Sequence, residues 1–176
     1  MTQGSATDQR ILSPADLAAQ VRRLTATPAE WVTRVRLDAE GRWYERIQAD
    51  GCLEVWLISW LPGQSTGFHD HGSSAGAFGV VWGALDEWVP GGNGGTGSSP
   101  LRRGGLGGIA PPEVTRLTSS EVRAFGPHYV HDVRNGADAS VAVSVHAYSP
   151  PLSSMTRYDL TPGGLAMAGT EGADDW

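Results

Sequence analysis

The residues best suited to chemistry are five histidines, His69, His71, His128, His131 and His146, none of them in the first 68 positions. In His69-Asp70-His71 the two imidazoles are two residues apart. On a strand that spacing sends both side chains to one side, where they can face one metal ion. The same spacing also fits two solvent-facing histidines in a polar turn. His131 and His128 compete for the place of a third ligand. Further on, Ser140–Tyr148 alternates: Val141, Val143, Val145 and Ala147 point one way, and Ser144, His146 and Tyr148 the other. Taken alone, such a face fits a half-buried strand with a solvated polar side.

These residues need a scaffold of strands. The chain has 176 residues, enough for one domain, and about 40% are apolar, enough for a core. Its 24 glycines lie almost entirely beyond residue 40, which favours turns and strands. Ser13-Pro14-Ala15-Asp16 and Thr27-Pro28-Ala29-Glu30 read as starts of two short N-terminal α-helices. Strands are expected at 42–48, 53–60, 76–89, 113–117, 121–125 and 139–148, split by turn residues such as Asp50-Gly51 and Pro62-Gly63. The fold class is therefore all-β. A leader with helices spans 1–40, a β-domain 41–160 and a flexible acidic tail 161–176. Residues 90–112, rich in Gly, Ser and Pro, read as a long mobile loop. They lack the lysine of a phosphate loop.

Composition narrows the partners. All 13 basic residues are Arg and the net charge is -6, which argues against nucleic acid and anionic membrane surfaces. No apolar run reaches membrane-spanning length, and the polar start MTQGSATDQR carries no hydrophobic signal core, so the expected location is cytoplasmic. The single cysteine, Cys52, excludes an internal disulfide. A monomer or weak oligomer is expected.

The setting of the histidines sharpens their reading. Gly63, His69, His71, Gly76 and Gly83 have the spacing of the first cupin motif, G-x5-H-x-H-x4-E-x6-G, with Gly76 where the usual Glu stands. His131-Asp132-Val133-Arg134-Asn135 fits the H-x3-N end of the second motif, which favours His131 over His128. The chain thus resembles a cupin, a small jelly-roll-like β-barrel. With no glutamate, His69, His71 and His131 form a neutral triad that favours anionic ligands, a thiolate above all. The polar face of the last strand then becomes a relay, in which Ser144 orients His146 and His146 holds the Tyr148 hydroxyl.

HDHGSSAG at 69–76, VHDVRN at 130–135 and SVHAYSPPLSSM at 144–155, with RWYER at 42–46, resemble the cysteine dioxygenase type I family of thiol dioxygenases, in its bacterial form. The resemblance implies Fe(II) on His69, His71 and His131, with L-cysteine and O2 as partners and a sulfinate product. It implies Tyr148, His146 and Ser144 as the catalytic face. It places Arg46 on the substrate carboxylate, with Arg34, Arg36 and Arg42 as rivals, Tyr44 beside it and Trp60 as a pocket wall. Animal members carry a cysteine, cross-linked to the tyrosine, at the position of Gly76; here Tyr148 is expected unmodified. The alternatives are a dioxygenase for 3-mercaptopropionate or another thiol acid, a non-catalytic metal-binding cupin sensor, and a cupin isomerase or epimerase using another metal. Related enzymes that prefer 3-mercaptopropionate tend to carry Gln where Arg46 stands, so Arg46 tilts the resemblance towards cysteine.

Overall fold

The structure is a computed structural model that describes residues 11–91 and 110–172. The expected loop therefore falls mostly outside the described residues, at 92–109, as do the first ten residues and the last four.

One α-helix forms at the N-terminal side, α1 (Pro14–Ala26). Its start follows from the sequence. The Ser13 hydroxyl accepts from the Asp16 amide at 3.2 Å, and the Asp16 carboxylate accepts from the Ser13 amide at 3.1 Å. That reciprocal pair satisfies two amides that the helix itself leaves open. The second expected α-helix is not there. Single 3-10 turns stand in its place, at Pro28–Glu30 and Val32–Arg34. The Thr27 hydroxyl, expected to cap that helix, instead donates to the Arg23 carbonyl at 3.1 Å. Trp31 then folds back beneath α1, its indole donating to the Leu24 carbonyl at 3.1 Å, and this return ends helical propagation.

Eleven strands follow among the described residues. They are β1 (Trp43–Ala49), β2 (Glu54–Trp60), β3 (Phe68–Asp70), β4 (Ala75–Trp82), β5 (Ala84–Val89), β6 (Glu113–Thr118), β7 (Val122–Phe125), β8 (Asp132–Arg134), β9 (Ala142–Ser149), β10 (Ser154–Thr161) and β11 (Gly164–Gly172). They form a five-stranded sheet β1-β2-β9-β4-β7 and two three-stranded sheets, β11-β10-β3 and β6-β5-β8. A bridge between His69 and His131 ties the two smaller sheets together along one seam. The cupin architecture is thus present as sheets that face each other without closing into a continuous barrel.

Period-2 alternation decides what each face of the large sheet does. Val55, Leu57, Ala77, Val143, Val145 and Ala147 turn outward and pack on Leu17, Val21 and Leu24 of α1. Trp60, Phe78, Val80, Ala142 and Tyr148 turn inward, into a second core with Leu85, Leu117, Phe125 and Val133. Both faces of β9 are therefore covered, so its polar residues are buried and not solvated as a two-layer sheet would leave them.

Two further expectations change. The single strand expected over 76–89 is broken at Gly83, where the chain leaves one sheet for another. Gly83 has φ +74, and a Cβ there would lie 2.6 Å from the Val141 carbonyl. The flexible tail expected from 161 is instead strand β11 as far as Gly172, paired with β10.

Gly83→Ala should therefore destabilise the protein by about 1–3 kcal/mol through strain and contact. Thermal melting should show the midpoint fall by roughly 3–10 °C.

Candidate metal centre

The three histidines come from two distant stretches. His69 lies on β3, His71 just after it, and His131 just before β8. The bridge brings them together: the His69 amide donates to the His131 carbonyl at 2.9 Å and the His131 amide to the His69 carbonyl at 3.0 Å. One ring nitrogen from each residue lies within 4.8 Å of the others, and all three side chains are buried.

Their neighbours set the tautomers. His69 Nδ1 faces the Gly67 carbonyl at 2.9 Å, and His131 Nδ1 faces Glu87 Oε1 at 3.0 Å. Each partner accepts, so each Nδ1 carries the proton and each Nε2 keeps its lone pair. His71 Nδ1 has no hydrogen-bond partner among the described residues. Its ring is held by stacking on Phe125 at 5.3 Å and by Tyr148 at 4.7 Å. Burial, with the neighbouring imidazoles, pushes His69 and His71 well below the ordinary histidine range, so both are neutral.

This donor set fits a divalent first-row metal ion. The Nε2 atoms of His69 and His71 are 3.2 Å apart, close to the separation of about 3 Å that two cis ligands with bonds near 2.1 Å require. No carboxylate joins them. Glu87, fully buried, sits behind His131 and is also held by Arg123 Nε at 2.5 Å. Burial raises its pKa, but the His131 and Arg123 contacts outweigh that and hold it below the usual carboxylate value. At position 76 a side chain has no room: a Cβ would meet the Phe125 ring at 2.4 Å and Tyr148 Cδ1 at 3.1 Å. Gly76 and Phe125 are cross-strand partners, so the ring lies where a ligand or a cross-linking cysteine would start.

The face of β9 lies beside the imidazoles. Ser144 Oγ is 2.8 Å from His146 Nε2, and His146 Nδ1 is 3.3 Å from the Tyr148 hydroxyl. Trp60 does not line the cavity. It is fully buried, and its Nε1 donates to Ser144 Oγ at 2.9 Å. That donation polarises the row. An indole N–H only donates, so Ser144 accepts from it and passes its own proton towards His146 Nε2. His146 then carries its proton on Nδ1 and donates to the Tyr148 oxygen, and the phenolic proton faces the cavity. Burial and the His131 neighbour lower His146 to about 3. Burial, then Glu54, push Tyr148 upward against the pull of Arg42. Both groups are neutral near pH 7.

The arginines sort differently from expectation. Arg46 is half-exposed, 3.5 Å from Glu54 and 5.6 Å over the Trp56 ring, and does not line the cavity. Arg34 pairs with Glu45, and Arg36 donates to the Thr33 and Val35 carbonyls. Arg42 lines the cavity with Tyr44 and Trp56. It lies 5.3 Å over Trp60 and has no carboxylate partner among the described residues. Burial, then Arg157, lower its pKa. Arg157 and Glu171, which the sequence reading did not single out, complete the wall. His128 is exposed, with φ +57; its amide donates to the Gly72 carbonyl at 2.9 Å, but its side chain is not part of the histidine cluster.

The profile of the family described as cysteine dioxygenase type I matches residues 9–161. The chain belongs to that family. Its fold is also that of solved structures at low identity. TT1209 from Thermus thermophilus is 19% identical, with a TM-score of 0.51 over 68% of this chain and 93% of its own. A Klebsiella pneumoniae protein with a double-stranded β-helix domain is 16% identical, with a TM-score of 0.50 over 98% of both chains. These likenesses support the cupin fold alone. The family and the three-histidine cluster together support a metal-dependent cupin of the thiol dioxygenase type. No described helix is long and apolar enough to cross a membrane.

The anion behind His131 should matter for metal affinity. Glu87→Gln keeps the shape but removes the charge, and metal titration should show affinity about 10- to 100-fold weaker than in the unmodified protein. Acid should also weaken the metal-free fold. His146 has a folded pKa of about 3 against an ordinary 6.5. Its stabilisation is complete above 6.5 and is lost as pH falls towards 3, because the unfolded imidazole takes up the proton first. Urea unfolding from pH 6.5 to 5 should lose on the order of 1–2 kcal/mol through this residue, and His146→Gln should flatten that slope.

Proposed function

We propose that this protein is an Fe(II)-dependent dioxygenase that adds both atoms of O2 to the sulfur of a small thiol carboxylate. The observation that carries the reading is one cavity holding three clustered imidazoles beside one guanidinium, Arg42, with no carboxylate partner among the described residues. His69, His71 and His131 would hold iron(II), which would supply a redox-active Lewis acid for oxidation of a thiolate by O2. The balance closes without a further reductant: R–SH and O2 give R–SO2H, and the four electrons lost by sulfur are those O2 gains.

The protein's own groups have distinct tasks. The neutral triad leaves the full charge of a bound cation available to a thiolate. Arg42 offers a planar fork to the substrate carboxylate. Tyr148 keeps its proton and presents it to the cavity as a hydrogen-bond donor, while His146, Ser144 and Trp60 hold it in place. The Ser144–His146–Tyr148 face sets this reading apart from a metal-binding sensor, which has no need of it.

L-cysteine is the proposed substrate. A 3-mercaptopropionate reading is favoured by one observation: Arg46, the residue that tilts the resemblance towards cysteine, stands outside the cavity lining. The test is anaerobic iron loading followed by oxygen uptake with each thiol, and a product mass higher by two oxygen atoms. No uptake with either thiol would sink the reading. Arg42→Gln should raise KM about 10- to 100-fold, as expected for a lost charge-assisted contact. Arg46→Gln should change it less than about threefold, as expected for a solvent-exposed charge.

A further inference from the structure

Strand β11 brings a carboxylate into a cavity that otherwise gathers cations. Arg157, opposite His69 on β10, directs Nε and one terminal nitrogen to Glu171 Oε2 at 3.1 and 2.8 Å. Its other terminal nitrogen donates to the Thr66 carbonyl at 3.1 Å. Every donor-bearing nitrogen of this guanidinium is thus engaged, and its charge is matched by Glu171. Asp132 is taken by Arg134, and Asp70 by Tyr158. Among the described cavity-lining residues, Arg42 alone remains an unmatched charge. Both Arg157 contacts go to Oε2, which leaves Oε1 of Glu171 without a hydrogen bond from Arg157. Glu171 also lies beyond residue 161, where the family match ends.

We propose that Glu171 determines substrate specificity: by neutralising Arg157 it restricts the cavity to thiols with one carboxylate and turns away those with two. This deepens the thiol dioxygenase reading and rests on it. A single carboxylate finds Arg42. A second one has no free cation to meet and approaches the anionic oxygen of Glu171 instead. The same ion pair would serve as a wall without this role only if the charge on Glu171 were immaterial to binding.

The test compares 3-mercaptopropionate with mercaptosuccinate, which differ by one carboxylate. Binding is measured by calorimetry on the iron-loaded full chain without O2. The unmodified protein should bind the monocarboxylate more tightly. Glu171→Gln frees Arg157 and should shift the affinity ratio towards mercaptosuccinate by about two- to fivefold, a typical gain for exposing one partly solvated cation to a carboxylate. Adding Arg157→Met to Glu171→Gln should abolish that shift. Preference for mercaptosuccinate by the unmodified chain overturns the proposal, and this arm needs no variant. So does an unchanged ratio in a folded Glu171→Gln protein, or a shift that survives Arg157→Met. Binding of neither thiol overturns this proposal and leaves the dioxygenase reading to its oxygen-uptake test with L-cysteine. Binding of both without discrimination removes only the role of Glu171.

Discussion

Two backbone hydrogen bonds between His69 and His131 hold the molecule to its purpose. They lie in the seam between β11-β10-β3 and β6-β5-β8, so the two small sheets meet at two of the three clustered histidines. In a closed pair of this kind the two side chains leave the same face of the sheet. His71, two residues along, then needs no separate positioning element. A candidate metal site assembled from widely separated sequence positions thereby becomes a local feature of one β-bridge. Glu87 adds to this from the neighbouring strand, where it faces Val133 in register and reaches His131 Nδ1.

The second constraint is electrical. Among the described residues that line the cavity, every Arg and Glu side chain but Arg42 is matched by an oppositely charged partner. Burial disfavours charge on His69, His71, His146 and Tyr148. An anion entering such a space meets a field set by few groups, which makes the site selective with little machinery. Phe125 contributes by exclusion: its ring, above Gly76 and against His71, keeps a fourth protein ligand out.

Much of this was legible in the residues because it depends on short periods. Ser144, His146 and Tyr148 share a face through simple alternation, and the spacing of His69, His71 and His131 carried the cluster. The Ser13–Asp16 box marked α1 correctly. Where depth or register decides, the sequence was silent. Arg42, Tyr44 and Arg46 fall on one face by period, but Glu54 draws Arg46 to itself and leaves Arg42 to the cavity. β3 and β8 are three residues each, too short to show a period. β10 is mostly polar, β11 mostly small or glycine, and both are largely exposed or half-buried, so their alternation marks no core face. Glu87 had a signal that went unread, a charged residue at an inward position of a strand whose neighbour Leu85 is core.

The indole at the closed end of the Ser144–His146–Tyr148 row has one hydrogen and no lone pair to offer. Because its contact with Ser144 takes up an acceptor position of the serine, the hydroxyl hydrogen is left for His146 Nε2, and the row runs from Trp60 towards Tyr148. If the phenol releases its hydrogen during turnover, the loss cannot be made good from the interior, where the row ends on a donor. Replenishment has to arrive through the mouth of the cavity, from solvent or from the departing product, and the next cycle waits on that delivery.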